Sequence, residues 1–355
     1  MENTEKLHAL GQSLWLDNIT RELLMSGTLG GYIRDFSITG LTSNPTIFEH
    51  AIGSGDIYDK SIREKASRGL SGEALFFELA VEDLRQAADL FLDVHEATGG
   101  VDGWVSLELS PLLADDTAGS VKAAIHQYAQ AGRPNLFIKI PGTPAGVPAI
   151  EEAIFSGVPI NVTLLFSREQ YLAAAQAYMR GIERRIAAGL DPHVASVASL
   201  FVSRWDVAVK ETVSPPLRNR LGIAIAMQTY KAYRDLLYSS QWQRLADAGA
   251  RSQRMLWAST GTKDPAAPDT LYLEALAAPD TINTIPEKTL HAFADHGNPG
   301  ATMPIDGGNA EAVLEAFRGE GVDMGALATR LQVEGAQAFS KSWSALLSSI
   351  QSKSS

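Results

Sequence analysis

The residue best able to do chemistry in this sequence is Lys139, the only charged side chain in the apolar run Leu-Phe-Ile-Lys-Ile-Pro-Gly at residues 136–142. An ammonium group in a buried strand is costly unless it loses its proton or gains a partner. A neutral lysine is a nucleophile that attacks carbonyl carbons and forms imines. The run therefore makes Lys139 a candidate nucleophile. The alternative is a solvated lysine on an edge strand.

Two carboxyl groups could move the protons that imine chemistry requires. Asp17 directly follows the apolar segment Leu14-Trp-Leu, and Glu108 alternates with aliphatic residues in Val105-Ser-Leu-Glu-Leu. An amine together with two carboxyl groups is a set suited to attack on a carbonyl with acid and base assistance. Each carboxyl also has an alternative role, because Asp17 could cap a following helix and Glu108 could simply pair with Lys139.

These side chains must be positioned by short apolar runs that alternate with helical patterns along the chain, which is typical of βα units and a parallel sheet. Eight such runs are present, the number that closes a barrel, so we predict an α/β fold of the (β/α)8 TIM-barrel type. The predicted strands are residues 13–18, 36–41, 103–109, 135–140, 159–165, 194–202, 254–259 and 281–285.

Helical patterns fill the segments between the strands. The sequence Ser167-Arg-Glu-Gln predicts a capping box that opens a helix running toward Gly189. The other predicted helices are residues 71–97, 118–130, 147–155, 216–248, a helix after Pro286 and a helical stretch at 310–351.

We expect the whole chain, residues 1–355, to form a single barrel domain with additional helices at both ends. The additions are an N-terminal helix at 1–12, an insertion near 47–75 and a C-terminal helical extension at 310–355. The extension could serve dimerisation or cover the bottom of the barrel.

Alternation along each strand indicates which side chains point into the barrel, since neighbouring residues of a strand face opposite sides. Aliphatic residues, including Val162 and Leu164, are assigned to the outer face. Four strands then direct a reactive or hydrogen-bonding side chain inward near the carboxyl end, where such barrels hold their active sites. These side chains are Asp17, Ser106, Glu108, Lys139, Asn161 and Thr163. Asn161 and Thr163 could instead satisfy the barrel backbone.

Composition narrows the class of protein. A net charge of −11 and the lack of a Lys/Arg-rich block argue against nucleic acid or an anionic membrane as the partner. No run of about 18 apolar residues is present, and with no cysteine the sequence is expected to be cytoplasmic. The seven histidines lack the spacing of a zinc helix and no phosphate-loop motif occurs, so we expect no metal and no cofactor.

Five segments, in this order along the chain, resemble signature segments of the transaldolase family. They are GLTSNPTIF at 40–48, LFIKIPGT at 136–143, PINVTLLF at 159–166, SLFVSR at 199–204 and WASTGTK at 257–263. The family has a (β/α)8 barrel with its imine-forming lysine on the fourth strand, and Lys139 lies on the fourth predicted strand.

The resemblance implies a role for each matching residue. Lys139 would form the imine with C2 of a ketose phosphate, and Asp17 would be the base that takes the C4 hydroxyl proton. Glu108 would move protons through a water molecule that Thr163 helps to hold. The implied substrate-binding residues are Asn44 and Asn161 for the three-carbon unit, Ser199, and Arg204 with Ser259 for the distant phosphate.

The sequence departs from the family pattern at one position. Shorter members place an arginine two residues after the serine that corresponds to Ser259, and here that position is Gly261. Lys263 is the nearest cation, and we predict that it binds phosphate as a point charge instead of a planar fork. The alternative is that Lys263 is a solvated loop residue.

The resulting prediction is a transaldolase of the non-oxidative pentose phosphate pathway. It would move dihydroxyacetone from sedoheptulose 7-phosphate to glyceraldehyde 3-phosphate, giving erythrose 4-phosphate and fructose 6-phosphate. Its partners would be small sugar phosphates, with a homodimer left open. The alternatives are an imine aldolase that cleaves fructose 6-phosphate without an acceptor, and a catalytically silent sugar-phosphate-binding barrel.

Overall fold

The computed structural model describes residues 3–354, in which eight parallel strands close into a barrel in sequence order. The last strand pairs back onto the first along its whole length. Each predicted strand is confirmed, with ends that differ by no more than two residues. The strands are β1 Gln12–Leu16, β2 Ile38–Leu41, β3 Trp104–Glu108, β4 Leu136–Pro141, β5 Ile160–Leu165, β6 Ser196–Phe201, β7 Arg254–Ala258 and β8 Thr281–Ile285.

Helices surround the barrel and extend it at both ends. Within the described residues they are α1 Asn3–Ala9, α2 Arg21–Met25, α3 Thr28–Asp35, α4 Pro45–Gly53, α5 Asp59–Ser67, α6 Gly72–Leu90, α7 Leu92–Ala97, α8 Thr117–Ala131, α9 Gly146–Phe155, α10 Arg168–Ala187, α11 Ser203–Val209, α12 Leu221–Leu237, α13 Ser240–Asp247, α14 Leu271–Ala275, α15 Glu287–His296, α16 Ala310–Gly319 and α17 Met324–Lys353. Two short 3₁₀ turns, Pro111–Leu113 and Pro215–Leu217, complete the set.

The predicted helix ends are largely confirmed. Ser167 caps α10 by accepting from the Gln170 N–H, and the Gln170 side chain accepts from the Phe166 N–H, as in a capping box. The long pattern at 310–351 divides into α16 and α17, because Gly321 takes a left-handed conformation (φ 86°) that ends a helix. The predicted N-terminal helix is α1, and residues 1–2 of that prediction lie outside the described part.

Aromatic side chains close the amino-terminal end of the barrel. The Trp104 and Phe137 rings stack with centroids 4.1 Å apart, and Trp15 donates its indole N–H to Asp102 at 2.7 Å. Gly40 is required beside them, since a Cβ there would lie 2.7 Å from the Trp15 ring. The cavity that contains Lys139 lies at the opposite, carboxyl-terminal mouth.

The C-terminal helix α17 crosses that mouth. Gln332 on α17 donates to the carbonyl oxygens of Gly142 at 3.0 Å and Leu164 at 2.9 Å, at the carboxyl ends of β4 and β5. The interpretation that the extension covers the bottom of the barrel is therefore wrong. Phe339 of the same helix lines the cavity that contains Lys139, so α17 covers the carboxyl-terminal mouth.

Strand alternation fails at Leu164. The register of β5 against β6 shifts between Val162 and Leu165, and Leu164 has a left-handed φ of 57°. Its side chain turns toward α17, since a Cβ on Gly335 would lie 2.9 Å from the Leu164 methyl group. The prediction that Leu164 faces outward is wrong, because a β-bulge reverses the alternation.

Candidate active site

Lys139 lies on β4 inside the mouth of the barrel and is only 5% exposed. Its Nζ is 2.9 Å from Glu108 Oε2 on β3 and donates to the Ser43 carbonyl oxygen at 3.0 Å. Because a closed barrel has no edge strand, the alternative of a solvated edge lysine is wrong. A buried amine between a carboxylate and a carbonyl is positioned to react with a ligand carbonyl.

Asp17 follows β1 and faces the same cavity as Lys139. Burial raises the pKa of Asp17, while the Lys139 charge, a hydrogen bond from Thr42 and the Lys263 charge oppose that rise. Thr20, not Asp17, caps the following helix α2, so the capping alternative is wrong. A carboxyl group of this kind is suited to exchange protons with a bound ligand.

Glu108 is the second buried carboxyl group. Burial raises the pKa of Glu108, and the adjacent Lys139 ammonium acts in the opposite direction. Thr163 lies on β5, and its hydroxyl is buried without a hydrogen-bond partner among residues 3–354. That free hydroxyl has the chemistry needed to hold a water molecule or a ligand hydroxyl in the site.

Two threonines that the sequence analysis missed support Asp17. The Thr42 hydroxyl donates to Asp17 Oδ1 at 3.0 Å and lies 2.7 Å from the Thr284 hydroxyl. Because Thr42 has one hydroxyl proton and gives it to Asp17, Thr284 must be the donor in the second contact. The chain of hydroxyls from β8 through the end of β2 fixes the orientation of the carboxyl group.

The two asparagines predicted to bind the three-carbon unit differ in their position relative to the cavity. Asn44 lines the cavity, and its side-chain oxygen caps α4 by accepting from the Ile47 N–H at 3.1 Å. Among residues 3–354 no hydrogen bond is made by its amide N–H₂ group, which can therefore bind a ligand. Asn161 is fully buried and bonds to Ser106 and Ser199, so among the described residues it underlies the cavity wall instead of forming it. Ser199 itself lines the cavity.

The cavity also has a positive region. Arg204, at the start of α11, and Lys263, after β7, both line it, and neither forms an ion pair within residues 3–354. Burial lowers the pKa of Arg204, with Glu334 on α17 acting in the opposite direction. Ser259 between them adopts a left-handed φ of 55°, a strained conformation typical of functional sites. Two unpaired cations beside a hydroxyl suit an anionic ligand.

Lys263 reaches back over the glycine that replaces the expected arginine. A Cβ at position 261 would lie 3.7 Å from Lys263 Nζ. The ammonium group therefore lies within van der Waals contact of the position that a side chain at residue 261 would start from. The Lys263 charge is also close enough to lower the pKa of Asp17.

Together these side chains form a cavity of about 130 Å³ at the mouth of the barrel. It brings together Lys139, the Asp17 carboxyl group and the two cations. Its predicted lining residues are Asp17, Asn44, Lys139, Thr163, Ser199, Arg204, Ser259 and Lys263. The sequence analysis missed six others, Thr42, Phe201, Ala258, Thr284, Pro286 and Phe339.

Comparison with known proteins identifies the family. The profile of the transaldolase/fructose-6-phosphate aldolase family matches residues 14–350. The chain belongs to this family. The transaldolase of Parafrankia sp. (strain EAN1pec) is 45% identical over 97% of this chain and 96% of its own length. The transaldolase of Thermobifida fusca (strain YX) is 45% identical over 98% of this chain and 96% of its own length.

The likeness extends to more distant members of the family. A protein named transaldolase 2 from Nostoc punctiforme is 39% identical over 97% of this chain and 95% of its own length. The transaldolase-family resemblance predicted from the sequence is thus confirmed, together with the barrel fold. Within residues 3–354, no helix is both long and apolar enough to span a membrane, and no three His, Asp or Glu side chains converge as metal ligands.

Proposed function

We propose that this chain is a transaldolase that transfers dihydroxyacetone from sedoheptulose 7-phosphate to glyceraldehyde 3-phosphate. The observation that carries the proposal is the buried Lys139, 2.9 Å from Glu108, in one cavity with Asp17 and two unpaired cations. A lysine, a base and an anion site are the parts needed to cleave a phosphorylated ketose through an imine.

The reaction begins when the neutral Lys139 amine attacks C2 of the ketose. Glu108 gives and takes the protons that turn the carbinolamine into an imine, with Thr163 orienting the water that carries them. Asp17 then removes the C4 hydroxyl proton as the C3–C4 bond breaks and the aldose leaves. The electron pair of that bond passes into the protonated imine, which leaves an enamine of dihydroxyacetone on Lys139.

Transfer requires that this enamine persist until an aldehyde acceptor arrives. Its C3 carbon attacks the acceptor carbonyl, Asp17 returns a proton to the new hydroxyl, and water releases the product from Lys139. The Asn44 amide would hold a hydroxyl of the three-carbon unit, while Arg204, Ser259 and Lys263 would bind the phosphate of donor or acceptor. Asn161 would act through Ser199, with which it is hydrogen bonded.

The acceptor requirement separates a transaldolase from an imine aldolase. With fructose 6-phosphate alone, we expect little free dihydroxyacetone, and with added erythrose 4-phosphate we expect sedoheptulose 7-phosphate to accumulate. Both products can be measured by chromatography of the same reaction mixture. Steady release of dihydroxyacetone without an acceptor would favour the aldolase alternative, and tight ligand binding without any product would favour a silent barrel.

Replacing Lys263 should weaken recognition of phosphate selectively. In a Lys263→Met variant, loss of one charge-assisted contact is expected to lower kcat/KM for glyceraldehyde 3-phosphate by about tenfold. Activity with unphosphorylated glyceraldehyde should change little, because that acceptor has no anion to bind. The measurement is the ratio of the two kcat/KM values, with Arg204→Met as a comparison in which the ratio also falls.

The alternative for Lys263 predicts a different outcome. A solvated loop lysine would leave the ratio of the two kcat/KM values unchanged in Lys263→Met. The cytoplasmic location, the single-domain organisation over residues 1–355 and a homodimer stay predictions from the sequence.

A further inference from the structure

The helix α17 supplies one aromatic side chain to the active-site cavity. Phe339 is 5% exposed and lines the same cavity as Lys139 and Arg204. The other lining residues come from the strands or from the segments that directly follow them. Phe339 is separated from β8 by more than fifty residues of sequence, so the chain must return to the mouth to place it there.

The contacts of α17 hold Phe339 in place from both sides. On one side, Gln332 donates to two carbonyl oxygens at the ends of β4 and β5. Next to it, Gly335 allows close approach, since a Cβ there would lie 2.9 Å from Leu164 and 3.6 Å from the Arg204 guanidinium.

On the other side of Phe339, the helix is attached to α4 and α6. The Ser342 hydroxyl lies 2.8 Å from the Thr46 hydroxyl, and Trp343 donates its indole N–H to Glu73 at 2.8 Å. The Trp343 ring also meets the Phe76 ring edge to face, with centroids 4.8 Å apart. Phe339 is therefore a fixed part of the cavity wall instead of a mobile surface residue.

We propose that Phe339 is the wall that shields the lysine-bound dihydroxyacetone from water and so favours transfer over release. This inference rests on the proposed function. Most other groups around the cavity are polar, as the chemistry requires, and polar walls attract water. The apolar contribution from the strands and their loops is limited to Phe201, Ala258 and Pro286, so α17 supplies the remaining apolar cover.

The competing reaction that Phe339 suppresses has two steps. The enamine carbon C3 first takes a proton from water or from Asp17, which converts the enamine into an imine. Water then adds to the imine carbon C2 and the C–N bond breaks, which releases dihydroxyacetone and returns Lys139 as an amine. Hydrolysis at C2 takes up the equivalent of the water that imine formation releases, and it also ends the transfer reaction. The step that decides between release and transfer is therefore protonation of C3, which depends on access of water to the enamine.

A Phe339→Ala variant tests this role. With fructose 6-phosphate as donor and erythrose 4-phosphate as acceptor, the ratio of dihydroxyacetone released to sedoheptulose 7-phosphate formed is expected to rise at least about fivefold. The matched variant Phe339→Leu keeps an apolar wall and should stay near the wild-type ratio. Thermal unfolding of each variant checks that the fold is retained.

A second control separates shielding from simple loosening of α17. Trp343→Phe removes the hydrogen bond to Glu73 but alters no side chain of the cavity, so it is expected to lower Tm and leave the product ratio unchanged. An unchanged ratio in Phe339→Ala, or an equal rise in Trp343→Phe, would overturn the inference. Failure of the wild-type enzyme to transfer at all would instead overturn the proposed function.

Discussion

A Lys139→Met variant is expected to lose transaldolase activity by at least about 10⁴-fold, because Lys263, the second lysine that lines the cavity, lies near Gly261 and does not take the place of Lys139 beside Glu108. Methionine is unbranched and apolar, and it fills most of the space of the lysine side chain. Incubation with fructose 6-phosphate and borohydride should add the mass of a reduced adduct to the wild-type protein and not to the variant.

Folding of the Lys139→Met variant is expected to be affected only moderately. Removing one partner of a buried ion pair costs about 3–5 kcal/mol when the other charge stays. Here burial already raises the pKa of Glu108, so this carboxyl group can take up a proton when the Lys139 ammonium is gone. Unfolding by denaturant at several pH values measures the difference in the free energy of unfolding between the wild type and Lys139→Met. This difference should become smaller toward acid pH.

The matched control is Lys263→Met, which removes a cation from the same cavity but leaves the imine lysine. This variant should still be labelled by borohydride. Labelling of Lys139→Met at another lysine, with activity retained, would contradict the assignment of the nucleophile.

The barrel could be predicted from the sequence because each strand is marked by local signals. Strands buried by helices read as apolar runs, and glycines such as Gly132, which has a left-handed φ of 60°, mark the helix ends. The alternation in β3 and β4 was sufficient to direct Glu108 and Lys139 to the same side. Parallel pairing then brings these two residues opposite each other, as the register confirms.

Features that depend on exceptions to regular geometry could not be predicted in this way. The bulge at Leu164 has no marker residue, since a leucine with a positive φ is unexpected. The amphipathic pattern of α17 indicates a helix but does not say which surface it covers. Phe339 therefore carried no signal of a place in the active site.

The Thr42–Thr284 pair illustrates the same limit on a smaller scale. Thr42 lies within the segment GLTSNPTIF, so the signature could have drawn attention to it. Its contact with Thr284 joins residues 242 positions apart, and it forms only because β2 and β8 both flank β1 in the closed barrel. The side-chain contacts of Asn161 are likewise set by neighbours on β3 and β6.

An Asp17→Asn variant is expected to form the imine but to lose transfer by about 10²- to 10⁴-fold. Asparagine cannot accept the C4 hydroxyl proton, so the C3–C4 bond cannot break efficiently. Its side-chain oxygen can still accept the hydrogen bond from Thr42, so the geometry should be kept. Borohydride should therefore trap an adduct of fructose 6-phosphate on Lys139, in contrast with Lys139→Met. An adduct-free Asp17→Asn protein would show that Asp17 acts before cleavage.

The pH dependence of the reaction supplies an independent readout for Asp17. The ionised form is the base, and burial raises the pKa of Asp17, so activity is expected to fall toward acid at a higher pH than for an exposed aspartate. Glu108 is buried against the same lysine and its pKa is also raised, so this acid limb belongs to the coupled pair. In Glu108→Gln, the part of the acid-side fall in kcat that comes from titration of Asp17 should remain. In Asp17→Asn, that part should disappear. If Asp17→Asn keeps the full acid-side fall in kcat, another group is responsible for the titration. That group, and not Asp17, would then be the base in the cleavage step.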